Sequence, residues 1–144
     1  MKGQVERVFF GRHERQLDDK GRVALPAAYR PQLGDRLFLV IGRNRCIDVF
    51  PATDFEARAI ELADRVRRGE ESDDLRRSVG HSATEVTVDG QGRIKVDERL
   101  RTYARLDPQS TVVVTGGIDR VELWSPHYFA DIEERSDAAL AGAT

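Results

Sequence analysis

The sequence predicts an α+β, β-rich fold. Two related halves pack about an intrachain pseudo-twofold axis, close into a small β-barrel and carry flanking helices. Three observations predict it. The turn Asp18-Asp19-Lys20-Gly21-Arg22-Val23 returns as Asp89-Gly90-Gln91-Gly92-Arg93-Ile94. The apolar run Phe38-Leu39-Val40-Ile41-Gly42 returns as Val112-Val113-Val114-Thr115-Gly116, and Ile47-Asp48-Val49-Phe50-Pro51 returns as Val121-Glu122-Leu123-Trp124, followed by Ser125-Pro126. Blocks that recur in one order at nearly one spacing indicate duplication. A half of this chain is near the lower size limit for independent folding, so the two are expected to fold together. Pairing their strands into a barrel would remove exposed edges.

The elements follow in order. Residues 1–8 read as a loose leader, and Phe10 to Leu17 as a strand. Asp18-Asp19-Lys20-Gly21 is a turn, with Asp at the first position and Gly at the fourth as a type I geometry prefers. Val23-Ala24-Leu25 returns as the second strand of a β-hairpin. Pro26 opens a short helix to Leu33, and Gly34-Asp35 turns the chain. Leu37 to Ile41 is a strand covered on both faces. Gly42 to Arg45 turns again, and Cys46 to Phe50 is the next strand. Thr53-x-x-Glu56 reads as a capping box. It opens a helix whose stripe is Phe55, Ala59, Leu62, Ala63 and Val66, and Gly69 ends it. Leu75 and Val79 mark one more short helical piece.

The second half repeats this grammar. Val86 and Val88 precede the turn Asp89–Gly92, and Ile94 and Val96 follow it. Asp97 replaces proline as a helix cap, with Leu100 and Ala104 facing inward. Val112 to Val114 is a buried strand, Gly116-Gly117 a turn, and Val121 to Trp124 the closing strand. Ser125-Pro126 starts a helix with stripe Phe129, Ile132, Ser136 and Leu140, and the tail after Ala141 should fray. The expected divisions are a first repeat over 9–55, connecting helices over 56–79, a second repeat over 80–126, and a C-terminal helix and tail over 127–144.

Composition narrows the function. Net charge is −2, lysine occurs only at Lys2, Lys20 and Lys95, and the other cations are arginine. Arginine presents a planar fork to phosphates and guanine edges. Cations crowd His13, Arg15, Lys20 and Arg22, whereas acids gather at Glu56–Glu61, Glu70–Asp74 and Asp131–Asp137, a dipolar arrangement. With a single cysteine no internal disulfide forms, and Cys46 reads as a small core residue. No apolar run reaches the length that spans a bilayer and the N-terminus shows no signal-peptide stretch, so a cytoplasmic location is expected. His13, His81 and His127 lack metal-ligand spacing, no metal or other cofactor is expected, and no catalytic constellation stands out.

Phe10-Gly11, the block Leu17 to Pro26, and Tyr29-Arg30 resemble the opening of the MraZ family. So do Gly80, Asp89-x-x-Gly92-Arg93, Leu100-Arg101, Val112–Gly116 and Val121–Trp124. The resemblance covers roughly residues 9 to 140, with departures in the leader before Phe9 and in the acidic Glu70–Asp74 segment. It implies two tandem AbrB-like (SpoVT-AbrB) swapped-hairpin domains. It also implies a bacterial transcriptional regulator that binds short repeated sites in promoter DNA upstream of the division and cell-wall gene cluster, as a ring-like homo-oligomer associated with the nucleoid. Carried onto this chain, the DNA-binding loops are Asp18 to Arg22 and Asp89 to Arg93.

The chemistry of these residues agrees. Gly21 and Gly92 permit close backbone approach. Arg22 and Arg93 can pair bidentately with a guanine edge or a phosphate, and Lys20 is a point charge for phosphate. Gln91, its neutral counterpart, can read an adenine edge, which leaves the second loop electrostatically weaker. Asp18 and Asp89 are expected to accept from backbone N–H groups of their own turn or to hold the arginines. Arg15, on the strand entering the first turn, is an auxiliary contact. Few cations per loop make single-site binding weak, so multivalency on direct repeats is expected. The bland alternative for Arg22 and Arg93 is an intramolecular ion pair with Asp18 and Asp89, which is compatible with preorganised DNA contact. Two other readings stand beside this one. One is a small double-psi-type β-barrel enzyme using Asp18 or Asp89 with a raised pKa. The other is an antitoxin-like scaffold gripping a protein with its C-terminal helix.

Overall fold

The computed structural model describes residues 7–142. The leader expected at 1–8 therefore lies, apart from Arg7 and Val8, outside the described residues, as do residues 143–144 of the expected fraying tail. Arg7 itself pairs with Asp54 at 2.7 Å.

The strands are β1 (Arg12–Gln16), β2 (Arg22–Ala24), β3 (Arg36–Ile41), β4 (Ile47–Pro51), β5 (Thr84–Thr87), β6 (Arg93–Lys95), β7 (Thr111–Gly116) and β8 (Val121–Trp124). The helices are α1 (Arg30–Leu33), α2 (Ala52–Arg67), α3 (Asp73–Ser82), α4 (Glu98–Ala104) and α5 (Pro126–Ala141). Six strands form one antiparallel sheet in the order β1-β7-β8-β4-β3-β5, and β2 pairs with β6 in a separate ribbon. The order is a palindrome. The repeat equates β1 with β5, β7 with β3 and β8 with β4, so the halves mirror each other about the β8/β4 seam. At that seam Asp48 stands opposite Glu122, its own counterpart. In the ribbon Val23 stands opposite Ile94, again its counterpart. An antiparallel pair of equivalent residues lies on a local twofold axis, so the pseudo-dyad runs through both pairs.

Two expectations need correction. The first is the β-hairpin of β1 with β2. β1 pairs instead with β7 of the other half, and β5 pairs with β3. The reason lies in the turn: Gly21 at φ +80° and Gly92 at φ +77° swing the chain out of the sheet, and each emerging strand meets its twin. The halves thus exchange strands, as the swapped-hairpin resemblance implies. The second is closure. The sheet keeps two edges, β1 and β5, and does not close into a barrel. The ribbon is joined to both edges by the two turns, through Asp18 N–H to Arg22 O and Asp89 N–H to Arg93 O, each at 2.9 Å.

Local signals mostly hold. Asp97 caps α4 by accepting from Leu100 N, and Ser125 caps α5 by accepting from Tyr128 N. Gly69, at φ +77°, follows the end of α2. The capping box does not form. α2 begins at Ala52, directly after the strand, so Thr53 is already inside it, no side chain caps its start, and Glu56 pairs with Arg36 instead. α1 starts four residues later than expected, because Pro26–Tyr29 forms a turn closed by Tyr29 N–H to Pro26 O.

The core fills the space between sheet and ribbon, with Leu17, Val23, Leu39, Ile94, Val114 and Leu123 all nearly inaccessible. Burying each such side chain contributes roughly 1.5–3 kcal/mol. The outer face of the sheet is covered twice. Val40 and Phe50 pack beneath Phe55 of α2, and Cys46, Val113 and Trp124 pack beneath Phe129 and Ile132 of α5. The expected α5 stripe stops there, and Leu140 is 77% exposed.

Candidate nucleic-acid interface

The two D-x-x-G-R turns adopt one geometry. In the first, Gly21 N–H donates to Asp18 O, closing the turn at 3.1 Å. Asp18 Oδ1 accepts from Lys20 N (2.9 Å) and Arg22 N (2.8 Å), and its Oδ2 accepts from Arg22 Nε (2.9 Å). In the second, Asp89 Oδ1 accepts from Gln91 N and Arg93 N, and Oδ2 from Arg93 Nε, each at 2.9 Å. Both carboxylates therefore do what the sequence predicts, capping their own turn and holding their own arginine. These bonds favour the ionised form. The Arg22 backbone N–H leads in holding the Asp18 carboxyl down at about 2. The Arg93 N–H leads in holding Asp89 below the usual carboxylate range. The raised pKa that would have supported a loop-carboxylate enzyme is found at neither group.

Side-chain alternation settles where the arginines lie. In the ribbon Arg22 is opposite Lys95 and Ala24 is opposite Arg93. Successive residues on a strand point to opposite faces. Val23 and Ile94, both 1% exposed, take the core face, so Arg22, Ala24, Arg93 and Lys95 share the outer face. The ion pair of each arginine with the aspartate of its own turn engages Nε, which leaves the terminal nitrogens of Arg22 without a hydrogen bond among the described residues. Arg93 also lies 3.9 Å from Asp18, so the first carboxylate is shared by both arginines.

The chain's cations differ in how far they are compensated. Along α2 and α3, Arg65, Arg67, Arg68, Arg76 and Arg77 are each paired with a carboxylate. Around the ribbon, Arg15, Lys20, Lys95, Arg30 and Arg101 have, among the described residues, no carboxylate within the 4.0 Å that defines an ion pair. Uncompensated charge is therefore present beside the turns, although the net charge is −2; Arg43, Arg45, Arg99, Arg105 and Arg135 likewise have no carboxylate partner among the described residues. Asp19, Lys20, Gly90 and Gln91 form the exposed tips. Arg15 is half-buried on β1 and donates to Glu14 O. His13 instead packs edge-on against Tyr29.

Gly21 and Gly92 are buried, each beneath an arginine from the other half. A Cβ on Gly21 would meet Arg101 Nε and Val96 O at 3.0 Å, and the Arg30 guanidinium fills the place of a Cβ on Gly92. The close approach these glycines permit is thus made by arginines of the molecule itself. Sequence reasoning left Arg30, Arg101 and Lys95 without a role. The available signals were the matching position of Arg30 and Arg101 in the repeat, and the two-residue spacing that puts Lys95 on the face of Arg93.

A second cluster lies at the seam. Ligand atoms of Cys46, Asp48 and Glu122 lie within 4.8 Å of one another. Arg120 already donates to Asp48 at 3.0 Å, and the Cys46 thiol donates to it at 3.4 Å. Burial pushes the Cys46 thiol far up, so it is held protonated. The group is a satisfied core network rather than an open metal centre. Glu122 accepts from Trp124 Nε1 at 3.1 Å. No helix among the described residues is long and apolar enough to cross a membrane.

The family model described as "MraZ protein, putative antitoxin-like" matches residues 8–77 and again 81–143. Proteins called "Transcriptional regulator MraZ" are similar over most of their length. The one from Corynebacterium jeikeium (strain K411) is 38% identical over 124 residues, 86% of this chain and 85% of the relative. That from Kineococcus radiotolerans is 39% identical over 134 residues, covering 93% and 92%. That from Corynebacterium diphtheriae is 36% identical over 136 residues, 94% of each chain.

Proposed function

This chain belongs to the MraZ family, and we propose that it is a transcriptional regulator that binds promoter DNA through the outer face of its β2–β6 ribbon and the two turns at the ends of that ribbon. The observation that carries this reading is the pair of Arg22 and Arg93, related by the pseudo-dyad and each held at Nε by its own aspartate. A two-stranded ribbon fits the major groove of B-DNA. Duplex DNA has its own local dyads, so a dyadic reading head presents equivalent guanidinium groups to both strands. Preorganisation matters because an arginine already held in place loses little freedom on binding. Arg22 and Arg93 read guanine edges or phosphates, Lys20 takes phosphate, and Gln91 supplies a neutral hydrogen-bonding tip. Arg15 is an auxiliary contact. Gly21 and Gly92 shape the turns, and Asp18 and Asp89 hold them.

Few cations per loop give weak single-site binding, so the protein acts as a ring-like homo-oligomer on short direct repeats, gaining avidity without new contacts. Its targets are promoters of the division and cell-wall gene cluster, and it is cytoplasmic and associated with the nucleoid. Within it, residues 9–55 and 80–126 serve as the two reading units. A gel-shift titration with duplex DNA from upstream of its own gene, at two salt concentrations, tests this. Expected is salt-sensitive binding that Arg22→Ala weakens while oligomer size is unchanged. Affinity indifferent both to salt and to Arg22→Ala overturns the reading.

A further inference from the structure

We propose that Arg30 and Arg101 bind the DNA backbone, each completing the turn of the opposite half. The inference rests on the DNA-binding reading above and adds to it a crossed arrangement of charge. The two residues occupy the same place in the repeat, Arg30 opening α1 and Arg101 within α4. Neither makes a hydrogen bond or ion pair to its own turn among the described residues. Arg101 covers Gly21 of the first turn, held there by Nε donating to Val96 O at 3.0 Å, and Arg30 covers Gly92 of the second.

Packing alone does not account for an arginine at these places. An alkyl side chain would cover a buried glycine without bringing a charge to it. The carboxylate beside each glycine is already committed, Asp18 to three donors from Lys20 and Arg22, and Asp89 to three from Gln91 and Arg93. Neither crossing arginine lies within ion-pair distance of a carboxylate among the described residues. Each turn is therefore a composite of two guanidinium groups from different halves, Arg22 with Arg101 and Arg93 with Arg30, and only one of each pair is neutralised. An uncompensated guanidinium beside a preorganised one suits a polyanion with closely spaced charges, and phosphodiesters supply that spacing. The crossing also serves the second turn, where Gln91 contributes no charge: the exposed Arg30 supplies the cation that turn lacks.

A purely structural plug and a phosphate ligand differ in one measurable respect. Losing a plug lowers affinity by a similar factor at every salt concentration. Losing a phosphate contact lowers affinity and also flattens its salt dependence, by about 0.9 in the slope of log K against log [salt] for each contact. Binding of the Arg30→Gln and Arg101→Gln proteins to the upstream duplex and to an unrelated duplex should be measured between about 50 and 200 mM salt. The expected result is a slope reduced by about 0.9 per engaged subunit for either change, on both duplexes alike, and restored by Arg30→Lys and Arg101→Lys. Arg30 donates no side-chain hydrogen bond among the described residues, so Arg30→Gln decides the matter even if Arg101→Gln fails to fold. Weakened binding with an unchanged slope, or no change at all, overturns this inference alone. A parent protein that does not bind DNA overturns the functional reading, and this inference with it.

Discussion

Val23 stands opposite Ile94 in the β2–β6 ladder, and the repeat makes each the other's counterpart. Each is 1% exposed and sits in the main core. The ribbon is thus one element made by two halves, and with the exchange of β1 and β5 it leaves neither half a complete sheet. Shortening Val23 in the first half should lower stability by about 1–3 kcal/mol. The same midpoint shift should appear in the fluorescence of Trp124, the only tryptophan and a residue of the second half, and in far-UV circular dichroism. Two separated transitions would mean that the halves unfold independently, against the strand exchange.

Gly21 and Gly92 combine positive φ with an arginine overhead, whereas Gly90 has neither, with nothing within 4 Å of a Cβ placed on it. Placing an L-residue in the left-handed region costs roughly 1–2 kcal/mol. Gly21→Ala adds a contact with the fixed Val96 carbonyl, and Gly92→Ala displaces Arg30. Both should lower the urea midpoint and DNA affinity, while Gly90→Ala should leave both within error. A Gly90 effect equal to the others would show that the turn tip itself, not the covered glycine, sets the geometry.

Much of this was legible because it is local. Asp at the first and Gly at the fourth turn position specify the turns without reference to the rest of the chain, and Asp97 and Ser125 cap their helices through bonds three residues away. Long-range pairing was not legible. A strand such as Arg12–Gln16 alternates in the same way whether its partner is β2 or β7. Thr53 and Glu56 had the spacing of a capping box, yet β4 runs straight into α2 and leaves the threonine no place outside the helix. The crossing of Arg30 and Arg101 depends on which half each helix packs against, and no spacing along the chain encodes that.

The two turns should not contribute equally. Arg22 has Lys20 beside it, whereas Arg93 has the neutral Gln91 and divides its charge between Asp89 and Asp18. Loss of a good bidentate base contact costs about 1–3 kcal/mol. Arg22→Ala should therefore reduce affinity by roughly tenfold to a hundredfold, and Arg93→Ala by less, in titrations of the same duplex at one salt concentration. A greater loss for Arg93→Ala would reverse this ranking and place the main contact on the second turn.

The carboxylates of the turns and of the seam should respond to pH in opposite directions. Asp18, held down at about 2 chiefly by the Arg22 N–H, favours the folded state above its ordinary value of 3.8, and that stabilisation is lost as pH falls toward 2. At the seam, burial raises Asp48, and burial followed by the nearby Asp48 charge raises Glu122. A raised acid binds its proton more tightly folded than unfolded. Its contribution is therefore fully present below the unfolded value and is lost as pH rises through the folded one. Stability measured by urea unfolding should accordingly decline on the neutral side of about 4.5, the ordinary value for Glu122. Glu122→Gln keeps an oxygen for Trp124 Nε1 and removes one ionisation beside Asp48, so its profile above that value should be flatter. A variant whose stability falls with pH as steeply as the parent's would mean that Glu122 is ionised without cost and that Arg120 already neutralises the seam.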